Sequence, residues 1–152
     1  MAVRVQHATA ADLDLVAPLF DAYRQFYALP ADLGAARQYI GDRLARRDSV
    51  IFVATDPDAG DEGLGFTQLY PTLCSLSLRH YAVLFDLFVA PHARRRGVAR
   101  QLLQRAHAYA RDTGLDRLEL QTARANQEAR ALYESLGWTR DDIFLVYTWR
   151  SA

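Results

Sequence analysis

The residues best suited to chemistry lie in a basic, glycine-containing turn, residues 94–100, between an apolar run and a helical pattern. The run, residues 83–89, stops before Pro91. The turn that follows consists of Arg94, Arg95, Arg96, Gly97, Val98, Ala99 and Arg100. The first N–H groups of a helix lack intrahelical partners, and the helix dipole adds partial positive charge there. The turn therefore predicts an anion site, which we interpret as the pyrophosphate site of a nucleotide-like cofactor.

The same turn could instead be a solvated basic start of a helix. Two small residues favour a ligand, because Gly97 and Ala99 let a bound group approach the backbone closely. The spacing matches neither the phosphate loop G-x-x-x-x-G-K-[ST] nor the dinucleotide pattern G-x-G-x-x-G. The turn alone therefore leaves both interpretations open.

A second candidate site lies in residues 122–138, where Asn126 and Tyr133 are seven positions apart. In a helix this spacing places both residues on one stripe, two turns apart. The alternative is structural, with Asn126 as an N-cap and Tyr133 as an aromatic residue that packs on a sheet.

Together the two segments resemble the GNAT superfamily of acetyl-CoA-dependent N-acetyltransferases, nearest its small histone, polyamine and amino-acid acetyltransferase-like members. The cofactor signature of that family, Q/R-x-x-G-x-G/A, matches Arg94, Gly97 and Ala99. Its Asn followed at +7 by Tyr matches Asn126 and Tyr133, in a context completed by Ala129, Leu132, Gly137 and Trp138. The resemblance is close over residues 81–149, whereas the first eighty residues match only in the order of their elements.

The resemblance implies a role for each matched residue, with acetyl-CoA as cosubstrate and no metal. The backbone of Leu87, Phe88 and Val89 would pair with the pantetheine arm, and the amides of residues 95–100 would wrap the pyrophosphate. An N–H near Phe88 or Val89 would hold the acetyl carbonyl oxygen. Tyr133 would act as general acid toward the departing sulfur, and Asn126 would orient the cofactor arm.

A base is also needed, because an amine with a pKa of ~10.4 is neutral about once per thousand molecules at pH 7, a cost of roughly 4–5 kcal/mol. Many relatives carry a Glu on the strand before the turn, where this chain has Phe85 followed by Asp86. Strand alternation places Asp86 opposite Phe85, although a bulge of the kind seen in the family could re-aim it. Asp86 is the candidate base or substrate contact; a carboxylate bonded to nearby backbone is the alternative, and Glu119 is a weaker candidate.

The acceptor implied by the resemblance is a primary amine: a small amine, a polyamine, an amino acid or a lysine side chain. Position alone suggests Tyr23, Tyr27, Tyr70 and Tyr81 as walls of its site. A CoA-binding regulatory module without turnover is the alternative function. The apolar run 143–149 could form a homodimer contact, as in related proteins, or an ordinary central strand.

Composition limits the other partners and the setting. The 152 residues, 51% of them hydrophobic, are most simply one domain, residues 1–152. Eighteen basic residues balance eighteen acidic ones, which argues against nucleic acid as a partner. We expect no membrane association, since no apolar run is long enough to span a bilayer. The only cysteine, Cys74, cannot form an internal disulfide, so we expect a cytoplasmic location.

The order of elements, βααβββαβαβ, predicts a mixed α/β fold. The resemblance adds a GNAT-type, mostly antiparallel sheet that splays at the cofactor cleft and carries about four helices. We expect helices over residues 13–27, 33–46, 98–113 and 126–136, the last with Ala125, Ala129, Leu132 and Leu136 facing inward. Strands are expected near residues 3–5 and over 49–55, 65–70, 81–89, 115–122 and 143–149, with 71–80 as a mobile loop.

Overall fold

The computed structural model describes residues 2–152, which form a mixed α/β fold. The elements are β1 (Arg4–His7), α1 (Leu13–Phe26), α2 (Leu33–Arg46), β2 (Val50–Asp56), β3 (Glu62–Cys74), β4 (Arg79–Val89), α3 (Val98–Thr113), β5 (Leu118–Glu119) and α4 (Gln127–Ser135). Two compact units divide the chain: a sheet unit that ends at Gln121, and a C-terminal unit, Thr122–Ala152.

The five strands form one sheet in the order β1-β2-β3-β4-β5. All neighbouring pairs are antiparallel except β4 and β5, which are parallel, as a helical crossover through α3 requires. This confirms the mixed, mostly antiparallel sheet with four helices. The two parallel strands pair only at Ala82 with Leu118 and at Val83 with Glu119. Beyond Val83, the edge of β4 that faces β5 is therefore open, as expected for a splayed sheet.

The core of the sheet unit lies between the sheet and the two N-terminal helices. The backbone N–H of Thr9 donates to Asp12 at 2.7 Å just before α1, and Asp32 caps α2 by accepting from the N–H of Ala35 at 3.0 Å. Both are N-terminal caps that satisfy donors lacking helical partners. The apolar stripes of the helices then pack on the sheet through a cluster that includes Val16, Phe20, Ile40, Val53, Phe66 and Phe88.

The expectation of a mobile loop over residues 71–80 is wrong. The ladder between β3 and β4 continues to Cys74 and Arg79, so that only residues 75–78 form the turn. Pro71 pairs with Ala82 within this ladder. The proline and the serine-rich composition disfavour a strand locally, and pairing with β4 overrides that local preference.

Three predictions for the C-terminal part of the chain also need correction. Strand β5 has two residues rather than the eight expected over 115–122. Helix α4 forms, but none of its residues is fully buried: on the predicted inward face Ala129, Leu132 and Leu136 are half-buried and Ala125 is exposed. Residues 143–149 form no strand in the described sheet, because a strand requires a paired neighbour; their large apolar side chains are 73–89% exposed.

Across residues 2–152, no helix combines the length and the apolar character needed to cross a lipid bilayer.

Candidate active site

The turn before α3 has the backbone geometry of an anion cradle. Arg94 leaves the strand and fixes the turn by donating from Nε to the carbonyl of Val89 at 3.0 Å. Arg95 and Gly97 then adopt left-handed conformations, with φ of 59° and 78°. Such alternating backbone conformations gather N–H groups on a concave surface, and α3 begins directly afterwards at Val98. A Cβ on Gly97 would meet nothing within 4 Å, so the space beside this backbone is open.

The open edge of β4 presents backbone donors beside that turn. The N–H of Ala90 donates to the carbonyl of Leu64 at 2.8 Å, so Ala90 bonds toward β3. Backbone N–H groups alternate in direction along an antiparallel strand. The N–H of Phe88 therefore points toward β3, and the N–H groups of Leu87 and Val89 point toward the open edge. Of the two predicted donors to the acetyl carbonyl, Val89 therefore directs its N–H to the open edge, and Phe88 directs its N–H to β3.

A bulge in β4 positions Asp86. Gln68 pairs with Asp86 and Leu69 pairs with Leu84, so Phe85 is an extra residue without a cross-strand partner. Phe85 is 67% exposed and Asp86 only 3%. The bulge interrupts the strict alternation that the sequence predicts, and both residues border Tyr70: the Phe85 ring lies 5.8 Å from its ring, and the charge of Asp86 acts on its hydroxyl.

Asp86 is held by a chain of hydrogen bonds between buried polar groups. Gln68 donates from Nε2 to Oδ2 of Asp86 at 2.6 Å. Ser49 donates from Oγ to Oε1 of the same Gln68 at 2.7 Å, which fixes the orientation of the amide. The hydroxyl of Tyr23 donates to the carbonyl of Phe85 at 3.4 Å and lies close enough to the Asp86 carboxylate to stabilise its charged form. A buried carboxylate held by such hydrogen bonds is compatible with two roles: the predicted general base, and a structural carboxylate without a part in catalysis.

The surroundings shift the pKa values of two groups in this network. Burial raises the pKa of Asp86, and the hydrogen bonds from Gln68 and Tyr23 offset only part of that rise. Burial, the hydrogen bond to Tyr39 and the Asp86 charge together raise the pKa of Tyr70, whose hydroxyl therefore stays protonated. The site thus offers a carboxylate with raised proton affinity beside the protonated hydroxyl of Tyr70.

Tyr23 and Tyr70 of the four predicted wall residues lie near Asp86, Tyr27 packs on Tyr23, and Tyr81 lies elsewhere. Tyr23 lies 5.1 Å from Tyr27 between ring centroids, and Tyr70 bonds to Tyr39 through their hydroxyls at 2.7 Å. The Tyr81 ring instead lies 4.1 Å from the guanidinium of Arg117.

Sequence reasoning missed Tyr39 and Gln68 as parts of this region. Tyr39 directly precedes Ile40 on α2, at the border of the buried stripe, which was an available signal. Gln68 lies in a buried strand and had no such signal, because its role depends on the cross-strand partner Asp86.

Asn126 and Tyr133 lie in the C-terminal unit. Asn126 caps α4 by accepting from the N–H of Ala129 at 3.2 Å, so it precedes the helix rather than belonging to its stripe. The Tyr133 ring lies 5.9 Å from the Trp138 ring, and the Tyr133 carbonyl accepts from the N–H of Trp138 at 3.1 Å. This turn at the end of α4 passes through Gly137, with φ of 91°. The catalytic roles of Asn126 and Tyr133 stay predictions.

Within residues 2–152, no three or more His, Cys, Asp or Glu side chains are grouped so as to hold a metal ion. Glu119, the weaker base candidate, is engaged by Nε of Arg117 at 2.7 Å.

Comparison with known proteins identifies the family. The family model described as "Acetyltransferase (GNAT) family" matches residues 16–138. The chain is 41% identical over 145 residues, 95% of each chain, to the uncharacterized N-acetyltransferase YhfO of Bacillus subtilis (strain 168). It is 30% identical over 127 residues, 84% of each chain, to a probable acetyltransferase of Haemophilus influenzae (strain ATCC 51907 / DSM 11121 / KW20 / Rd). A crystal structure of a probable acetyltransferase superposes with a TM-score of 0.91 at 42% identity over 98% of each chain. These matches support acetyltransferase activity, and the chain belongs to the GNAT acetyltransferase family.

Proposed function

We propose that this chain transfers an acetyl group from acetyl-CoA to a primary amine. One observation carries the proposal: the sheet unit combines an anion cradle at the start of α3 with a buried carboxylate, Asp86, beside the open edge of β4. Membership of the GNAT family supports the same chemistry. We also propose that residues 1–152 act as one N-acetyltransferase domain, because the family model extends across the boundary at Gln121.

The turn and the strand edge would together bind acetyl-CoA, which supplies an acetyl group activated as a thioester. The amides of residues 95–100 would hold the pyrophosphate, with Arg94, Arg95, Arg96 and Arg100 adding positive charge. The edge of β4 would bind the pantetheine arm as an added strand. The N–H of Val89 points to that edge and would donate to the acetyl carbonyl oxygen, where negative charge develops.

Asp86 and Tyr133 would carry out the proton transfers of the reaction. Asp86 takes one proton from the substrate ammonium, and its raised pKa makes it a stronger base than an ordinary aspartate. The neutral nitrogen then forms the new N–C bond as the C–S bond breaks. Tyr133 donates its proton to the departing sulfur and recovers one from the acylated nitrogen. The net products are an amide, free CoA with its thiol protonated, and the proton released through Asp86. Asn126 would orient the cofactor arm.

The acceptor classes that fit this mechanism are small amines, polyamines, amino acids and lysine side chains. Tyr23 and Tyr70 lie near Asp86, and Tyr27 packs on Tyr23; these three would line the acceptor site. Tyr81 is proposed with less structural support, because its ring packs on Arg117.

An amine panel incubated with acetyl-CoA tests the proposal, with thiol release and mass spectrometry of the products as readouts. The chain has no lysine, so acetylated lysine side chains of the enzyme cannot obscure the products. We expect Tyr133→Phe to lower turnover about 10²–10⁴-fold. Tyr147→Phe is the matched control, since Tyr147 lies in the same unit and is 89% exposed. Tight binding of acetyl-CoA without acetylation of any amine would instead indicate a CoA-binding regulatory module.

A homodimer is the oligomeric state that the C-terminal unit supports. Six large apolar side chains between Ile143 and Trp149 are 73–89% exposed. Contiguous exposed apolar surface of this kind commonly marks a protein interface. A second copy would cover the run and provide its backbone with hydrogen-bond partners. Sedimentation analysis should give a dimer, and Phe144→Ser combined with Val146→Ser should give a monomer. A monomeric wild-type chain at micromolar concentration would contradict the proposal.

We further propose a cytoplasmic setting. Cys74 is the only cysteine of the chain, so folding needs no internal disulfide, which suits a reducing compartment.

A further inference from the structure

Aromatic rings cluster beside Asp86 and along the C-terminal end of α1. We call this set the aromatic wall: Tyr23, Phe26, Tyr27, Tyr39, Tyr70 and Phe85. Phe26, Tyr27 and Phe85 are each more than 60% exposed. Large aromatic side chains gain free energy by leaving water, and an exposed cluster of them commonly marks a binding site.

Ring contacts and hydrogen bonds join the wall into one ordered surface. Phe85 contacts Tyr70 at 5.8 Å between ring centroids, and Tyr70 bonds to Tyr39 through their hydroxyls at 2.7 Å. Buried Phe20 stacks on Tyr39 at 5.4 Å and on Tyr23 at 6.2 Å. From Tyr23 the series continues to Tyr27 and Phe26, at 5.1 and 5.4 Å. Rings held in this way can contact a ligand at little further cost in conformational entropy.

A single carboxylate, Asp86, is tied directly into the wall. The Tyr23 hydroxyl donates to the carbonyl of the preceding residue, Phe85, at 3.4 Å and lies close enough to stabilise the Asp86 carboxylate. The charge of Asp86 also acts on the Tyr70 hydroxyl. Both acids on α1 are already engaged, Asp14 by Arg37 and Asp21 as follows. Asp21 accepts from the N–H of Asp32 at 2.9 Å and from Gln25 at 3.2 Å. Asp32 itself caps α2. The wall therefore provides one strong partner for an ammonium group.

Two guanidinium groups border the wall. The Arg43 guanidinium lies 4.8 Å from the Tyr39 ring and is paired with Asp48. The Arg94 guanidinium lies 5.6 Å from the Phe26 ring and 5.9 Å from the Phe88 ring. A second or third ammonium group on a substrate would approach guanidinium groups rather than carboxylates, and like charges brought together are unfavourable.

We infer that the acceptor is a monoamine with an aromatic or bulky apolar body, and that polyamines and other polycations are poor substrates. This rests on the proposed acetyl transfer and specifies its substrate class. The ammonium group lies at Asp86, and the apolar body lies against the wall, where ring–ring contact adds to the effect of burial.

Steady-state kinetics with acetyl-CoA and three amines test the inference: 2-phenylethylamine, ethylamine and spermidine. We expect kcat/KM for 2-phenylethylamine to exceed that for either of the other two at least tenfold. For each variant, the selectivity is the kcat/KM for 2-phenylethylamine divided by the kcat/KM for ethylamine. Phe85→Ala should reduce that ratio at least threefold. The variant should still fold, because Phe85 is exposed. Leu76→Ala, at a position that is 99% exposed in the β3–β4 turn, is the matched control and should leave that ratio unchanged.

The outcomes separate this inference from the proposed function. Efficient acetylation of spermidine, or equal kcat/KM for 2-phenylethylamine and ethylamine, overturns the inference and leaves acetyl transfer intact. Failure to acetylate any amine, with acetyl-CoA bound, overturns both.

Discussion

Replacing Asp86 by asparagine removes the candidate base with little change in shape. The carbonyl oxygen of the introduced amide can still accept from Nε2 of Gln68, which Ser49 holds in place. The loss is therefore one negative charge and one proton acceptor rather than a packing contact. Removal of a general base typically lowers the rate about 10²–10⁴-fold, and each tenfold step corresponds to about 1.36 kcal/mol, so Asp86→Asn should raise the barrier by roughly 3–5 kcal/mol.

The pH dependence gives this variant two further signatures. Because the base must be deprotonated, kcat/KM of the wild type should rise with pH through the raised pKa of Asp86. The folded state also binds this proton more tightly than the unfolded chain does. The wild type should therefore lose stability as pH rises from the ordinary range of an aspartate through the raised pKa. Asp86→Asn should lack both transitions and should be no less stable than the wild type at pH 8.

Initial rates and thermal unfolding between pH 4 and pH 9, on wild type and variants, provide the assay. Asp21→Asn is the matched control, because Asp21 is also buried but bonds within α1 and to the N–H of Asp32. It should keep kcat/KM within about threefold. If Asp86→Asn likewise keeps kcat/KM within threefold and instead loses stability at pH 8, Asp86 is a structural carboxylate and the proposed base is wrong.

Three other predictions concern single side chains. Gly97→Ala should lower the free energy of unfolding by about 1–2 kcal/mol, because the left-handed φ of 78° disfavours a residue with a Cβ. Calorimetry should also show at least tenfold weaker CoA binding. Unchanged affinity would exclude this turn from the cofactor site. Gln68→Leu should lower the free energy of unfolding in urea by about 1–3 kcal/mol, because it leaves Asp86 and Ser49 without their hydrogen-bond partner. A loss below about 0.5 kcal/mol would contradict the buried network. Hydrogen bonds, chiefly from Ser77, lower the pKa of Cys74 to about 7. The alkylation rate of Cys74 should therefore be half-maximal near pH 7, and this midpoint should move to higher pH in Ser77→Ala. A midpoint near pH 9 in the wild type would refute this.

Most elements of the sheet unit could be predicted because local signals agreed with tertiary pairing. Helix α2 matches its predicted bounds, Leu33–Arg46, since a cap residue precedes its apolar stripe. Helix α3 ends at the expected Gly114, which adopts a left-handed conformation. The hairpin between β3 and β4 was missed at Pro71, where long-range pairing outweighs local preference.

The candidate site was only partly visible in the sequence, because its residues become neighbours through strand register. The left-handed turn before α3 is local, and the pattern around Gly97 predicts it. The bulge at Phe85 and the amide of Gln68 depend on how β3 pairs with β4, which no local pattern specifies. The predicted strand over 143–149 failed for a related reason, because an apolar run becomes a strand only where a neighbour pairs with its backbone.

Transfer of an isotopically labelled acetyl group tests the central claim most directly. The wild type is incubated with acetyl-CoA labelled in the acetyl group and with 2-phenylethylamine within the amine panel, and both products are followed by mass spectrometry. We predict labelled amide and an equal amount of free CoA thiol. The proposal would be contradicted if acetyl-CoA bound to the protein while the label stayed on CoA or appeared only as acetate, with every amine unmodified.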